Sequence, residues 1–337
     1  MIKYFFYLKD QISEFVRFLM DNIQALNNEG ERSDELKKYQ ELLDCWNNQY
    51  KITKAQLKLI IKRPVEIVNV THKLNLAKKY LKKKVSCYEK VNCINLLKDN
   101  EVKIIGKNKS VIFVCNNRIV GGVVRESANK KVASYFGAKI KATMEVHPSF
   151  NRGKINHADN GEMVAHGQRK NPLDSFVGNY VFKDEKDINS EALKVYVEDG
   201  DLIANWIYDQ ARENLPWITE SYEQFKKKVN IRRDGMIGAL FCAKNYEANG
   251  HSDNDRSDWA LGFVYEEGIV KDGHFFYPEY GVAIEMTSNS TWYWLTKAVH
   301  GTAIIDLSEG GTRYTTAITL TEKTARAIER TEKMKNQ

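Results

Sequence analysis

Three residues far apart in the chain set the strongest constraint on its fold: His251, Asp253 and His300. In a β-strand, residues two apart project to the same face, so His251 and Asp253 can supply an imidazole and a carboxylate to one metal ion. Asp255 and Asp258 are rival carboxylates, but they do not hold this i+2 position. His300 is the candidate third ligand, which requires a fold that returns residue 300 to residue 251. Two histidines and one carboxylate leave three positions of an octahedral ion open, as is typical of Fe(II) oxygenase sites.

Arg313 and Thr315 extend this set toward an anionic ligand. A planar guanidinium can hold a carboxylate through two parallel hydrogen bonds, which a lysine cannot do. Thr315 lies two residues further on, so in a strand it shares a face with Arg313 and can donate its hydroxyl to the same carboxylate. Asn245 has two open interpretations, which are a contact with this ligand and a turn into the strand that carries the metal ligands.

A second His-x-Asp triplet, His157-Ala-Asp159, competes for the metal. The next histidine after it is His166, which is too close in sequence to lie on a remote strand. We therefore place His157 in a long polar, basic loop from about 148 to 172, and the metal role is the less favoured interpretation. This loop either lines a substrate opening or is a plain surface loop.

Four segments between about 236 and 320 carry a family resemblance. They are Asn245-Tyr-Glu-Ala-Asn-Gly-His251-Ser-Asp253, Gly273-His-Phe-Phe-Tyr-Pro278-Glu279-Tyr-Gly281, His300-Gly and Gly311-Thr-Arg313-Tyr-Thr315. Together they resemble the TET/JBP-like branch of the Fe(II)/2-oxoglutarate-dependent dioxygenases. The resemblance implies iron ligands at His251, Asp253 and His300, with 2-oxoglutarate held by Arg313. It also implies O2 as the oxidant, with succinate and carbon dioxide as products.

For a substrate, the resemblance implies the methyl group of a 5-methylpyrimidine base in DNA, reached by flipping the base out of the stack. Two alternatives stay open, namely the same oxygenase chemistry on a protein side chain or small molecule, and a non-catalytic nucleic-acid-binding module. The run Trp292-Tyr293-Trp294 permits base stacking, although a role in the wall of a barrel is favoured.

The charge of the chain is unevenly distributed. Residues 1 to 50 hold 6 basic and 9 acidic side chains, residues 51 to 100 hold 13 and 3, and residues 101 to 337 hold 32 of each. The net charge of +7 therefore arises from the second of these ranges. The lysines of this Lys-rich region, 51 to 84, have three open interpretations. They contact a nucleic-acid backbone, they form a solvated face, or they act as a nuclear-import signal. They are Lys51, Lys54, Lys58, Lys62, Lys73, Lys78, Lys79, Lys82, Lys83 and Lys84.

Hydrophobic periodicity predicts an α+β protein with a jelly-roll barrel, and the family resemblance implies that this barrel is the dioxygenase domain; together they give three parts. They are a basic helical N-terminal region of residues 1–105, a double-stranded β-helix (jelly-roll, cupin-like) dioxygenase domain of residues 106–320, and a C-terminal helix and tail of residues 321–337. A hairpin over residues 110–124 turns at Asn116-Asn117. Further strands are expected at 236–243, 259–265, 282–286, 291–295, 298–306 and 312–320, and Thr321 is a candidate N-cap for the last helix.

Composition restricts the cellular setting. The chain has 337 residues and contains no apolar run that approaches the length of a membrane span. Its five cysteines are an odd number and include no Cys-x-x-Cys pair, which favours a reducing compartment. We therefore expect a nuclear or cytoplasmic protein with no membrane partner.

Overall fold

The computed structural model describes residues 65–146, 158–180, 190–231 and 235–335. The α-helices in these ranges are α1 (Leu74–Tyr80), α2 (Lys130–Val146), α3 (Ser190–Asn214), α4 (Pro216–Lys228) and α5 (Glu322–Lys335). The strands are β1 (Glu66–Asn69), β2 (Val85–Ser86), β3 (Ile94–Asn95), β4 (Lys103–Ile105), β5 (Val111–Cys115), β6 (Arg118–Arg125), β7 (Ala158–Lys170), β8 (Val177–Asn179), β9 (Ala239–His251), β10 (Trp259–Glu267), β11 (Lys271–Asp272), β12 (Phe275–Tyr277), β13 (Val282–Ile284), β14 (Ser290–Leu295), β15 (His300–Thr302), β16 (Ile305–Asp306) and β17 (Thr312–Thr319). Among the described helices, none is long and apolar enough to cross a membrane.

The large sheet curls into two layers that share strand β9. Its strand order is β1-β5-β6-β14-β10-β17-β9-β15-β12-β13-β4, and β7 also pairs with β9. Residues 239–244 of β9 pair antiparallel with β17. The end of β9 pairs with β15 instead, which places His251 opposite His300. Strand β9 thus passes from the layer β14-β10-β17-β9 into the layer β9-β15-β12-β13, the arrangement of a double-stranded β-helix or jelly roll.

Three helices pack against the first of these layers. Phe136 of α2 stacks on Trp206 of α3 with ring centroids 4.1 Å apart, and Trp206 meets Phe263 of β10 edge-on at 4.8 Å. Tyr222 of α4 donates a hydrogen bond of 3.0 Å to the Trp259 carbonyl oxygen. These contacts place the main hydrophobic core between the helices and the sheet, and they confirm the predicted α+β class with a jelly-roll core.

The prediction of a helical N-terminal region is wrong for residues 65–105. Helix α1 is the only α-helix in that described range, whereas β1 pairs parallel with β5 and β4 pairs parallel with β13. Ile67 and Val68 are both buried, and such β-branched neighbours favour an extended strand over a helix. Residues 1–64, with Lys51, Lys54, Lys58 and Lys62, lie outside the described residues, so the division into domains stays a prediction.

The predicted polar loop from 148 to 172 is also wrong over most of its length. Residues 158–170 form β7, which pairs antiparallel with β9. Val164 and His166 are buried within this strand. The polar composition of this segment hid the strand. Gly161, with φ of 97°, lies where the pairing of β7 with β9 shifts in register between Asn160 and Glu162. His157 lies outside the described residues.

Several local predictions are confirmed. The hairpin of β5 and β6 turns at Asn116 and Asn117, whose φ angles of 49° and 65° suit a left-handed two-residue turn. The strands predicted after residue 236 all exist, although the segment predicted at 298–306 is divided into β15 and β16. At the start of α5, the Thr324 amide donates a hydrogen bond to the Thr321 hydroxyl at 3.2 Å, as an N-cap requires.

Replacement of Gly262 should test the close packing of β10 against its two neighbouring strands, β14 and β17. A Cβ at this position of β10 would collide with the Thr316 carbonyl oxygen and the Trp292 indole. We expect Gly262→Ala to lower the free energy of unfolding by about 3 kcal/mol, because overpacking forces neighbours out of their rotamers. In the control Gly106→Ala, the nearest atom is Asn108 Oδ1 at 3.7 Å, and the change should stay within about 0.5 kcal/mol. Equal values in urea unfolding would contradict the packing described here.

Candidate metal centre

Three side chains with metal-ligand chemistry meet where β9 ends and β15 begins. The rings of the cross-strand neighbours His251 and His300 lie 4.5 Å apart between centroids. Asp253 Oδ1 is 3.9 Å from His251 Nε2, and Asp253 Oδ2 is 3.4 Å from His300 Nε2. One ligand atom from each residue lies within 4.8 Å of the other two. The structure therefore brings together all three ligands predicted from the sequence.

The backbone fixes the orientation of both imidazoles. His251 Nδ1 lies 2.7 Å from the Asn249 carbonyl oxygen, and His300 Nδ1 lies 2.8 Å from the Ala298 carbonyl oxygen. A carbonyl oxygen only accepts, so each Nδ1 carries the donated proton, and Nε2 is the ring atom left as a potential ligand on the side of Asp253. The two Nε2 atoms and the carboxylate thus face a common point. This donor set fits a divalent cation such as Fe(II).

Asp253 reaches this point by a different route from the one predicted. Strand β9 ends at His251, so alternation along a continuing strand does not place Asp253. Instead, the Asp253 amide donates a hydrogen bond of 2.8 Å to the Thr296 carbonyl oxygen, in the turn between β14 and β15. The ligand position is therefore set by the neighbouring loop.

The two rival carboxylates occupy other environments. Asp255 is buried, and burial together with the nearby Asp253 charge raises its pKa to about 7. Asp258 Oδ1 lies 3.4 Å from Lys297 Nζ. Neither residue belongs to the cluster that could hold an ion, as His251, Asp253 and His300 do.

A cavity of about 320 Å³ joins the three ligands to Arg313 and Thr315. Its walls carry aromatic side chains from both layers, including Phe275, Trp292 and Trp294. Trp292 and Trp294 are buried and stack on each other with centroids 5.7 Å apart. Their position agrees with the favoured interpretation of this run as barrel wall. The cavity thus combines a polar metal end with apolar sides.

Arg313 is almost completely buried and bonded on several sides. Its side-chain nitrogens donate to Glu266 Oε1 (2.7 Å), the Gly273 carbonyl (2.7 Å), the Asp272 carbonyl (3.1 Å) and the Met286 carbonyl (3.5 Å). A guanidinium has five N–H donors, so these bonds leave one of them, on Nη1, for a ligand. The two-bond grip on a carboxylate predicted from the sequence is therefore wrong for this geometry, and a single charge-assisted bond is what Arg313 can add.

Asn245 and Glu266 determine where Arg313 lies. Asn245 has a left-handed φ of 50°, and its Oδ1 accepts a hydrogen bond of 2.9 Å from the Arg313 amide. Of the two open interpretations of Asn245, the geometry matches the turn: the residue bends β9 and also anchors β17, the strand that carries Arg313. Glu266 stands directly opposite Arg313 in the pairing of β10 with β17. Sequence reasoning missed Glu266, because a cross-strand pair becomes visible only when the register is known.

The lysine cluster of residues 78–84 lies beside the metal ligands. The Lys82 amide donates a hydrogen bond of 2.7 Å to the Gly250 carbonyl oxygen, next to His251. Lys78, Lys79 and the three lysines from 82 to 84 are exposed. One of them, Lys79, forms an ion pair of 2.7 Å with Asp99. Part of the basic region predicted from the sequence therefore adjoins the end of the strand that carries His251.

A second cluster of potential ligands, which the sequence did not reveal, lies at the turn whose carbonyl oxygens accept hydrogen bonds from Arg313. It consists of Cys87, Asp272 and His274, with Cys87 Sγ 3.1 Å from His274 Nδ1. Burial raises the pKa of the Cys87 thiol to about 12 and lowers the pKa of His274 to about 4. A separation of 187 positions between these two residues explains why no sequence motif signals the cluster.

Comparisons with known proteins give distant structural likenesses. No protein-family model and no curated protein sequence matches the chain. The structure of NgTET1 in complex with 5mC DNA is 12% identical, with a TM-score of 0.45 over 67% of this chain and 84% of that one. A Pseudomonas putida prolyl-4-hydroxylase is 11% identical, with a TM-score of 0.36 over 60% and 93%. A Trichoplax adhaerens prolyl hydroxylase, in complex with a hypoxia inducible factor peptide fragment, is 10% identical, with a TM-score of 0.35 over 62% and 86%. Likenesses this weak assign neither activity nor substrate.

Removal of Asp253 should abolish metal binding at this centre. We expect Asp253→Ala to weaken Fe(II) binding by more than about 100-fold, because even groups that only orient a ligand contribute about 10-fold to 100-fold. Anaerobic equilibrium dialysis with iron analysis gives the affinity. Asp258→Asn is the matched control, since it neutralises a nearby carboxylate outside the cluster. Unchanged binding in Asp253→Ala, or loss of binding in His157→Ala, would show that the metal site lies elsewhere.

Proposed function

We propose that this protein is an Fe(II)- and 2-oxoglutarate-dependent dioxygenase that hydroxylates the methyl group of a 5-methylpyrimidine base in DNA. The observation that carries the proposal is the convergence of His251, Asp253 and His300 inside a cavity that Arg313 also lines. Two imidazoles and one carboxylate form the facial triad of non-haem iron oxygenases. When bound, Fe(II) would catalyse the reaction of O2 with 2-oxoglutarate, which yields succinate and carbon dioxide and is coupled to hydroxylation of a C–H bond.

The protein's own residues position the reactants. Hydrogen bonds from the two Nδ1 atoms to the backbone hold the rings of His251 and His300 in one orientation. Arg313 offers the remaining N–H of Nη1 and a positive charge to a carboxylate of 2-oxoglutarate, and Thr315 adds its hydroxyl from the same cavity wall. Because the ion pair with Glu266 already orients the guanidinium, its direction is fixed before the ligand arrives.

The apolar wall excludes water from the metal end. Phe275 and Trp294 each pack near His300, with ring centroids 5.8 and 5.4 Å away. An apolar lining strengthens electrostatic contacts within the cavity and limits side reactions of the oxidant. This environment suits oxidation of a C–H bond in a methyl group.

One feature favours DNA as the substrate, and a second shows how a base would have to reach the centre. Lys82 and Lys83 lie against Gly250, so a phosphate backbone that contacts these lysines passes close to the metal ligand His251. The ligand His300 is buried, with 3% of its surface exposed. A base inside a duplex does not reach such a centre, so it enters the cavity by flipping out of the stack.

Succinate release should depend on a pyrimidine 5-methyl group. We would supply the full-length protein with Fe(II), 2-oxoglutarate and air, and add a duplex with 5-methylcytosine, a duplex with thymine and cytosine, a matched duplex with uracil and cytosine, or no DNA. We expect at least about 10-fold more succinate with one of the methylated duplexes than with the uracil duplex, because the methyl C–H bond is what reacts. The same change should be absent in Asp253→Ala.

The other outcomes separate the parts of the proposal. Equal succinate release in all four reactions would overturn DNA as the substrate and leave the oxygenase chemistry, directed at a protein or small molecule. Absence of turnover together with absence of Fe(II) binding would overturn the enzyme itself and favour a non-catalytic binding module.

The lysine cluster should set the salt dependence of DNA binding. We expect the combined change of Lys78, Lys79, Lys82 and Lys83 to glutamine to weaken binding and to reduce the slope of log Kd against log salt by about 2 to 4, because each lost phosphate contact contributes about 0.9. Fluorescence anisotropy at four salt concentrations gives the slope. A control of equal charge replaces four exposed cations of α5, which are Lys323, Arg326, Arg330 and Lys333. Equal slopes in both quadruple variants would place the DNA contact elsewhere.

A further inference from the structure

We propose that Cys87, Asp272 and His274 form a second metal site, which takes Zn²⁺ and is separate from the iron centre. Each residue contributes one potential ligand atom, and the three atoms lie within 4.8 Å of one another. The set combines a thiolate, an imidazole and a carboxylate, which are the ligand types of protein zinc sites. None of the three residues belongs to the iron triad.

The separation of Cys87 and His274 is within a few tenths of an ångström of what a small tetrahedral ion needs. Cys87 Sγ lies 3.1 Å from His274 Nδ1. At Zn–S and Zn–N bond lengths of about 2.3 and 2.0 Å, tetrahedral ligand atoms lie about 3.5 Å apart. A separation of a few tenths of an ångström more would therefore admit the ion, with water in the fourth position. Binding releases the thiol proton, so Cys87–SH, Zn²⁺ and the other two ligands give a sulfur–zinc bond and one H⁺.

The site is mostly buried but remains accessible to an ion, and its thiolate makes it selective. Cys87 and His274 are 4% and 5% exposed, whereas Asp272 is partly exposed and offers an entry path for the ion. A thiolate ligand favours Zn²⁺ over Fe(II). Fe(II) is better matched by the triad of His251, Asp253 and His300, which contains no sulfur. Each site therefore has ligands that match its own metal.

The position of the site gives it a structural role. Cys87 belongs to the small hydrophobic cluster that joins residues 76–96 to β12 and β13. Asp272 and His274 flank Gly273, and the carbonyl oxygens of Asp272 and Gly273 accept hydrogen bonds from Arg313. A zinc ion here would tie the N-terminal part of the described chain to the turn that holds Arg313.

Cobalt substitution tests the site without reference to enzyme activity. Thiolate ligation of Co²⁺ gives a charge-transfer absorption that His and Asp ligands do not produce, so the iron triad is silent in this measurement. We expect the full-length metal-free protein to show this absorption on anaerobic addition of Co²⁺, and Cys87→Ser and His274→Ala to lose it. Cys115→Ser is the matched control, because it removes another buried cysteine, from β5.

A zinc count gives an independent measurement. After exhaustive dialysis, Asp253→Ala should retain one zinc ion per chain, and the double variant Asp253→Ala, Cys87→Ser should retain none. Circular dichroism identifies any variant that is unfolded. Absence of the cobalt absorption in folded wild-type protein, or its persistence in Cys87→Ser, would overturn the zinc site. Neither result would affect the iron centre, which is tested separately by Fe(II) binding.

Discussion

The passage of β9 from one layer to the other is the constraint on which the candidate metal centre depends. Its first half pairs with β17 and its end pairs with β15, so a single strand fixes the distance between the two layers at the site. Cross-strand pairing then sets His251 opposite His300 through backbone hydrogen bonds, which do not depend on the side chains. Asn245, with its left-handed backbone, permits the bend. The two histidines are consequently positioned before any ion is present.

The buried pair of Arg313 and Glu266 is the second organising interaction. A guanidinium that is 2% exposed needs a compensating charge and acceptors for its N–H groups, and Glu266 with three backbone carbonyls provides both. The pair limits what Arg313 can offer a ligand, because most of its donors already have partners. In exchange, its direction is well defined. The arginine therefore acts as a fixed charge at the end of the cavity and not as a flexible clamp.

Much of the site could be predicted from the sequence, for identifiable reasons. The sequence indicated that His251, Asp253, His300 and Arg313 belong together, because each lies on or beside a strand that clear turn signals delimit. The cause of the Asp253 position could not be predicted, since it depends on a hydrogen bond to the remote Thr296. Polar composition concealed β7, the basic character of residues 51–100 concealed β1, and β4 has only 3 residues, too few to give a pattern. Glu266 and the Cys87 cluster depend on pairings between distant segments, which one sequence without its register does not contain.

The attachment of β1 and β4 bears on how the protein can be divided. Both strands are edges of the same sheet that carries the metal ligands, and the segment between them pairs with Gly250 through Lys82. A fragment that began at residue 106 would remove one of the two strands that pair with each of β5 and β13, together with the hydrogen bond between Lys82 and Gly250 beside His251. Exposed strand edges of this kind promote association between copies. A unit that keeps both edge strands of this sheet therefore includes β1, upstream of residue 106, where the barrel pattern places the start of the domain.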